Sequence, residues 1–239
     1  GSAWTNSSNL YVGSSGTGTM TISNGGSVSS VLGTLGDAVG SDGTVSVTGA
    51  GSTWTNSSAL YVGDEGDGTL TISSGGSVSN TSGRIARLAG STGTATVTGS
   101  GSTWTNTGVL YVADSGDGTL TVSDGGSVSS GGEVNIGYAA GTTGAATVTG
   151  QNSSLSMTGN LAVGYDGAGG LTISDGGSVS NNLSFIAVDA AVTASVTVTG
   201  AGSTWTNAEE LSVGRGGIGT MTVSDGAVVR DTNGIIGYN

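Results

Sequence analysis

Two acidic turns hold the densest chemistry in the chain. "GDEGDG" places Asp64, Glu65 and Asp67 within four residues, and "ADSGDG" places Asp114 and Asp117 in its copy. Carboxylate oxygens at this density are hard ligands of the kind that hold Ca²⁺. The pattern differs from the Ca²⁺-binding nonapeptide G-G-x-G-x-D-x-U-x. The equivalent first turn carries Ser14, Ser15 and Thr17, and the fourth keeps only Asp166. In a solvated turn the same aspartates would instead bond nearby backbone. Calcium is thus the one cofactor the sequence offers.

Paired carboxylates also hydrolyse glycosidic bonds, but such a pair would stand alone, and these are echoed along the chain. Glu209 and Glu210 are adjacent, so a strand would point them to opposite faces. The chain has no His, Cys or Lys, which removes the usual triads and the imidazole or thiolate metal sites. Gly-rich turns at Asn24, Ser74, Asp124 and Asp175 lack the G-K-[ST] of a phosphate loop. No catalytic residue and no enzyme activity are expected.

Two rows could bind rather than react. Thr69/Thr71 and Thr119/Thr121 repeat a T-x-T pattern. A regular array of threonine at β spacing could order water and bind ice, although Thr also suits strands for its shape alone. Ala145, Gly170 and Ser195 interrupt the array. Tyr11, Tyr61 and Tyr111 form a second row, able to stack on sugars or meet a neighbouring rod.

The whole chain must position these rows. It has 239 residues, 49 of them Gly, and its only cations are Arg84, Arg87, Arg215 and Arg230, for a net charge of −12. Such a chain repels nucleic acid and anionic lipid, and no apolar run reaches the roughly 20 residues that span a bilayer. Met20, Val45, Leu70, Ala95, Leu120, Ala146, Leu171, Val196 and Met221 open nine alternating rungs, 25 residues apart with one step of 26. Alternation with period 2 is the strand signature. "LYVG" and "WTN" supply two more strands per coil. In the first, the residue between the apolar pair is Tyr11, Tyr61, Tyr111, Ala162 or Ser212, a mixture that reads as facing water. In the second, Leu155 and Met157 replace Trp and Asn in the fourth repeat, so Trp54 and Asn56 are expected inside. An inward Asn needs a hydrogen bond, which an Asn in a neighbouring coil could supply. The segment "GRIARLAG" aligns ambiguously with "LYVG".

One such coil cannot stand alone, but stacked coils pair their strands about 4.8 Å apart and share a core. The expected fold is an all-β, right-handed parallel β-helix of nine to ten coils, about 25 residues and three short strands each. It reads as one domain of five long repeats: 1–50, 51–100, 101–150, 151–201 and 202–239.

The ordered motifs W-T-N, L-x-V-G, G-x-G-T-L-T-I-S and G-G-S-V-S, with "IGYAAGTTGAATVTG", resemble the passenger repeats of autotransporters (type V secretion) and of PEP-CTERM-associated proteins. The resemblance covers nearly the whole chain, the fourth repeat departing from it with "SLSMT" for "TWTN". It implies a parallel β-helix displayed outside the cell as an adhesin or stalk, with no catalytic residues to carry over. It also implies outer-membrane anchoring through parts not in this chain, which begins and ends in mid-pattern and reads as a segment of a longer one. The implied partners are other copies of itself, or glycans or proteins of a host or neighbouring cell. Self-association into fibres is a sharper form of the same expectation.

Overall fold

The computed structural model describes residues 1–238. All of its regular structure is strand, arranged in three parallel sheets of 10, 10 and 9 strands. Each of the first nine coils contributes one strand to each sheet, the tenth contributes to the first two, and each interior coil pairs with the coils before and after it. The third coil shows the unit: Thr53–Asn56 in the first sheet, Leu60–Val62 in the second, Asp67–Ser73 in the third. The fourth coil lies on it as Ser77–Asn80, Gly83–Ile85 and Thr92–Thr98. The expected parallel β-solenoid of about 25 residues and three strands per turn is what forms.

Alternation fixes the inside. In the third sheet Leu70 and Ile72 stack on Ala95 and Val97, all fully buried. The same column runs through Leu120 and Val122 to Val148 and Ile173. Thr and Ser take the outward positions because a one-residue slip would reverse every side chain of the strand.

The reason two similar coils make one 50-residue repeat lies in a size exchange between coils. Trp54, Trp104 and Trp205 are fully buried. In the coil before each tryptophan, the position matching Leu of "LYV" is Gly33, Gly83 or Ser184. A Cβ on Gly83 would sit 2.9 Å from Trp104 Cζ2 and 2.5 Å from Asn106 Oδ1. One on Gly33 would sit 2.6 Å from Trp54 Cζ2. Where Leu155 replaces tryptophan, the preceding coil restores Val134 at the glycine position. Core volume is conserved by alternating a large ring with a missing side chain, as close packing requires.

Buried Trp and Asn side chains are tied from coil to coil, with Asn56 Nδ2 left without a partner. Trp104 Nε1 donates to Asn80 Oδ1 at 2.7 Å, and Asn80 Nδ2 donates to Asn106 Oδ1 at 2.5 Å. The set recurs as Trp205, Asn181 and Asn207 at 2.9 Å each. At the third coil Ser30 takes the place of the middle asparagine, donating to Asn56 Oδ1 at 2.7 Å. The inward Asn and Trp expected from the fourth repeat are therefore present in the interior coils. Trp4, in the first coil, is 51% exposed.

The corners are equally regular. Asn24, Ser74, Asp124, Asp175 and Asp225 adopt φ near +53°, each followed by a glycine with positive φ. Two successive left-handed residues explain why small polar residues precede glycine there.

Candidate contact surfaces

The outer face of the second sheet carries a ridge that the repeat pattern hides. Its middle column runs Tyr11, Thr34, Tyr61, Arg84, Tyr111, Asn135, Ala162, Phe185, Ser212 in register. Three residues further along each coil lies a second column, which includes Asp64, Arg87, Asp114, Tyr138, Tyr165 and Arg215. Across the later coils the two columns trade size. Asn135, Ala162 and Ser212 are small and belong to the coils in which Tyr138, Tyr165 and Arg215 are large. This corrects the expectation that the middle column faces water: Asn135, Ala162 and Ser212 are buried, and Thr34 is fully so between the Tyr11 and Tyr61 coils. The Oγ atoms of Thr34 and Ser212 have no hydrogen-bond partner.

The two columns interlock through charge and aromatic contact. Arg87 Nε pairs with Asp64 Oδ1, and its guanidinium lies 4.6 Å from the Tyr61 ring centre. Arg84 pairs with Asp114 Oδ2 and lies 4.8 Å from the Tyr111 ring. Tyr111 meets Tyr138 edge to face at 4.9 Å, and Tyr138 meets Tyr165 at 5.2 Å. Arg215 caps Phe185 at 4.3 Å. The hydrogen bond to Asp64 raises the Arg87 pKa further, against the lowering effect of burial. Burial, then the charge of Tyr138, raises the Tyr111 phenol. Cation–π contacts of this kind are worth about 0.5–1 kcal/mol at exposed sites.

These pairings redistribute the acidic residues. Asp64 and Asp114, read as calcium ligands or as solvated turn residues, are buried against the two arginines. Glu65 is exposed. Asp67 accepts from Thr92 Oγ1 at 2.5 Å and lies in register with Asp42. Asp117 accepts the Thr143 N–H at 2.7 Å. Among the described residues no three metal-ligating side chains converge. Sequence reading missed that Asp166 lies beside Asp189, whose hydrogen bond raises the Asp166 pKa.

The tyrosines divide in the same way. Tyr61 and Tyr111 are half-buried, each with an arginine against its ring, while Tyr11 is 45% exposed. Tyr138 and Tyr165, which the row did not include, are exposed at 36% and 39%.

The outer face of the third sheet is the other regular surface. Thr19, Thr44, Thr69, Thr94 and Thr119 stack as one exposed column, continued by Ala145, Gly170, Ser195 and Thr220. Thr71 and Thr121 belong to a parallel, half-buried column two residues on. A third column is zipped by its own hydroxyls: Ser73 to Thr48 at 3.0 Å, Ser123 to Thr98 at 2.8 Å, Ser174 to Thr149 at 2.8 Å.

No model of a known protein family matches the chain, and no curated protein does. Among solved structures it is similar to the crystal structure of a TibC-catalyzed hyper-glycosylated TibA fragment. The alignment covers 96% of this chain and 99% of that one, at 20% identity and a TM-score of 0.33. A likeness so slight transfers no function, and the fold rests on its own strand register.

Proposed function

We propose that the chain is a non-enzymatic structural and adhesive rod, a segment of a surface-displayed, autotransporter-passenger-like protein. One observation carries this reading. The two best-buried carboxylates of the acidic turns join one coil to the next, Asp64 with Arg87 and Asp114 with Arg84. What remains outside is a repeated surface. Adhesion on such a surface comes from weak contacts multiplied by valency, with no single pocket. The ridge through Tyr138 and Tyr165 is the contact edge of this reading, and its partners are other copies of the chain, or glycans or proteins of another cell.

The test compares the free chain with the same chain coated densely on beads, applied to glycan arrays and to cells. The account expects binding that grows steeply with coating density and weakens on Tyr138→Ala with Tyr165→Ala. Polysaccharide turnover abolished by one carboxylate substitution would overturn the non-enzymatic reading. Equal binding by beads and free chain would overturn the multivalent one.

A further inference from the structure

We infer that the outer face of the third sheet binds ice, by holding a water lattice on the first five rungs of threonine. This goes beyond the adhesive reading and does not depend on it. The inner columns of the face are uncharged, as are the narrower outward columns of the first sheet from Ala3 to Thr206. The chain carries 20 charged side chains, 4 basic and 16 acidic. None occupies the third, fifth or seventh position of any third-sheet strand, from Thr17–Ser23 to Ile218–Ser224. What is neutral is a strip three columns wide, without aromatics and rich in hydroxyls; the first position points the same way and borders the strip with Asp42, Asp67 and Asp117.

The hydroxyls on that face fall into two kinds. Those of the seventh position bond to one another along the rod, which leaves them satisfied and fixed. Those of the third and fifth positions, such as Thr94 and Thr96, make no hydrogen bond within the protein. Each threonine there also presents a methyl group, and its β-branch limits rotation about χ1. The result is a fixed lattice of donors and methyls facing solvent.

The spacing decides what such a lattice can hold. Hydrogen-bonded water oxygens lie about 2.75 Å apart. Tetrahedral geometry then puts second neighbours about 4.5 Å apart and the layer repeat at about 7.3 Å. The threonine rows are about 4.8 Å apart along the rod and about 6.7 Å apart along a strand. The mismatch along the rod is about 0.3 Å per rung, or roughly 1.2 Å over four steps and 2.4 Å over eight. The second figure is half a lattice spacing, so a bound lattice stays within about a quarter spacing over five rungs and is out of register by about nine. Five is the length of the unbroken column, which ends where Ala145 and Gly170 replace threonine.

The experiment measures thermal hysteresis, and uptake into a slowly growing ice hemisphere, for the purified chain and three variants. Thr94→Lys and the uncharged Thr94→Tyr break the fourth rung of the five-rung patch. Thr220→Lys places the same charge on the ninth rung, beyond the break. Circular dichroism and melting confirm that each variant is folded. The inference expects measurable hysteresis and ice uptake for the parent, their loss in both Thr94 variants, and their retention in Thr220→Lys. It is overturned if the folded parent is excluded from ice, if Thr94→Tyr is as active as the parent, or if Thr220→Lys is as damaging as Thr94→Lys.

Discussion

The exchange of tryptophan for glycine between coils makes a sharp energetic prediction at Gly83 and Trp104. Gly83→Val alone puts new atoms within 2.5–2.9 Å of Asn106, Leu110 and Trp104, an overpacking that costs about 1–3 kcal/mol. Trp104→Leu alone leaves part of a fully buried indole unfilled, at about 2–4 kcal/mol. It also strips Asn80 Oδ1 of its donor. Together the two changes recreate the Val134 and Leu155 pairing already present two coils further on. The added valine then occupies the space the ring vacates. The lost hydrogen bond is common to both tryptophan variants and cancels in the coupling term of a double-mutant cycle. That coupling is expected to be favourable by about 2–3 kcal/mol, the upper range for residues in contact. Urea unfolding followed by circular dichroism measures it, with amide exchange in the fourth and fifth coils as the local readout. Additive effects, within about 0.5 kcal/mol, would refute the size-exchange argument.

Other expectations follow from the ridge and the turns. Arg87→Ala leaves Asp64 buried without its partner. Loss of one member of a buried pair costs about 3–5 kcal/mol, and the 31% exposure of the arginine side chain scales this to about 1–2 kcal/mol. A melting point lower by about 2–8 °C would show it. Asp166 has a raised pKa through its hydrogen bond to Asp189, so the folded chain binds that proton more tightly than the unfolded one. The associated stability is present at low pH and is lost as pH rises through the folded value. Asp189→Asn should remove that part of the pH dependence of melting. Asp225 behaves oppositely: hydrogen bonds from Thr199 and Ser224 lower its pKa. Its contribution is therefore lost as pH falls through the folded value, and Thr199→Val, which leaves the Ser224 bond, should reduce it. Because arginines occupy Asp64 and Asp114, a chelator should leave the melting point unchanged, and a fall on adding chelator would restore calcium to the account.

Much of the architecture was legible because the solenoid is governed by short-range rules repeated many times. Leu70/Ile72 and Ala95/Val97 alternate at a fixed step, and that alone sets strand, face and stacking partner. The fourth repeat was informative because Leu155 and Met157 are apolar where Trp and Asn stand elsewhere. The ridge was harder to read because its contacts cross between coils. Arg87 meets Asp64 from 23 residues away and Arg84 meets Asp114 from 30, and neither pairing is visible until Gly83 is matched to Leu60. A signal did exist in the compensation between positions three apart, as in Asn135 with Tyr138 and Ala162 with Tyr165. It was masked by reading each column alone, which made a buried Ala162 look like a tolerant surface site.

The stacking of coils can be measured directly, since the chain has no cysteine to interfere with labelling. Paired spin labels on Thr19→Cys with Thr119→Cys, four coils apart, and on Thr19→Cys with Thr220→Cys, eight coils apart, report two distances along one column. Parallel coils rising about 4.8 Å each place the backbones roughly 19 Å and 38 Å apart, so the second distance should be about twice the first. A longer pair no farther apart than the shorter one, as in a ring that closes on itself, would contradict the solenoid.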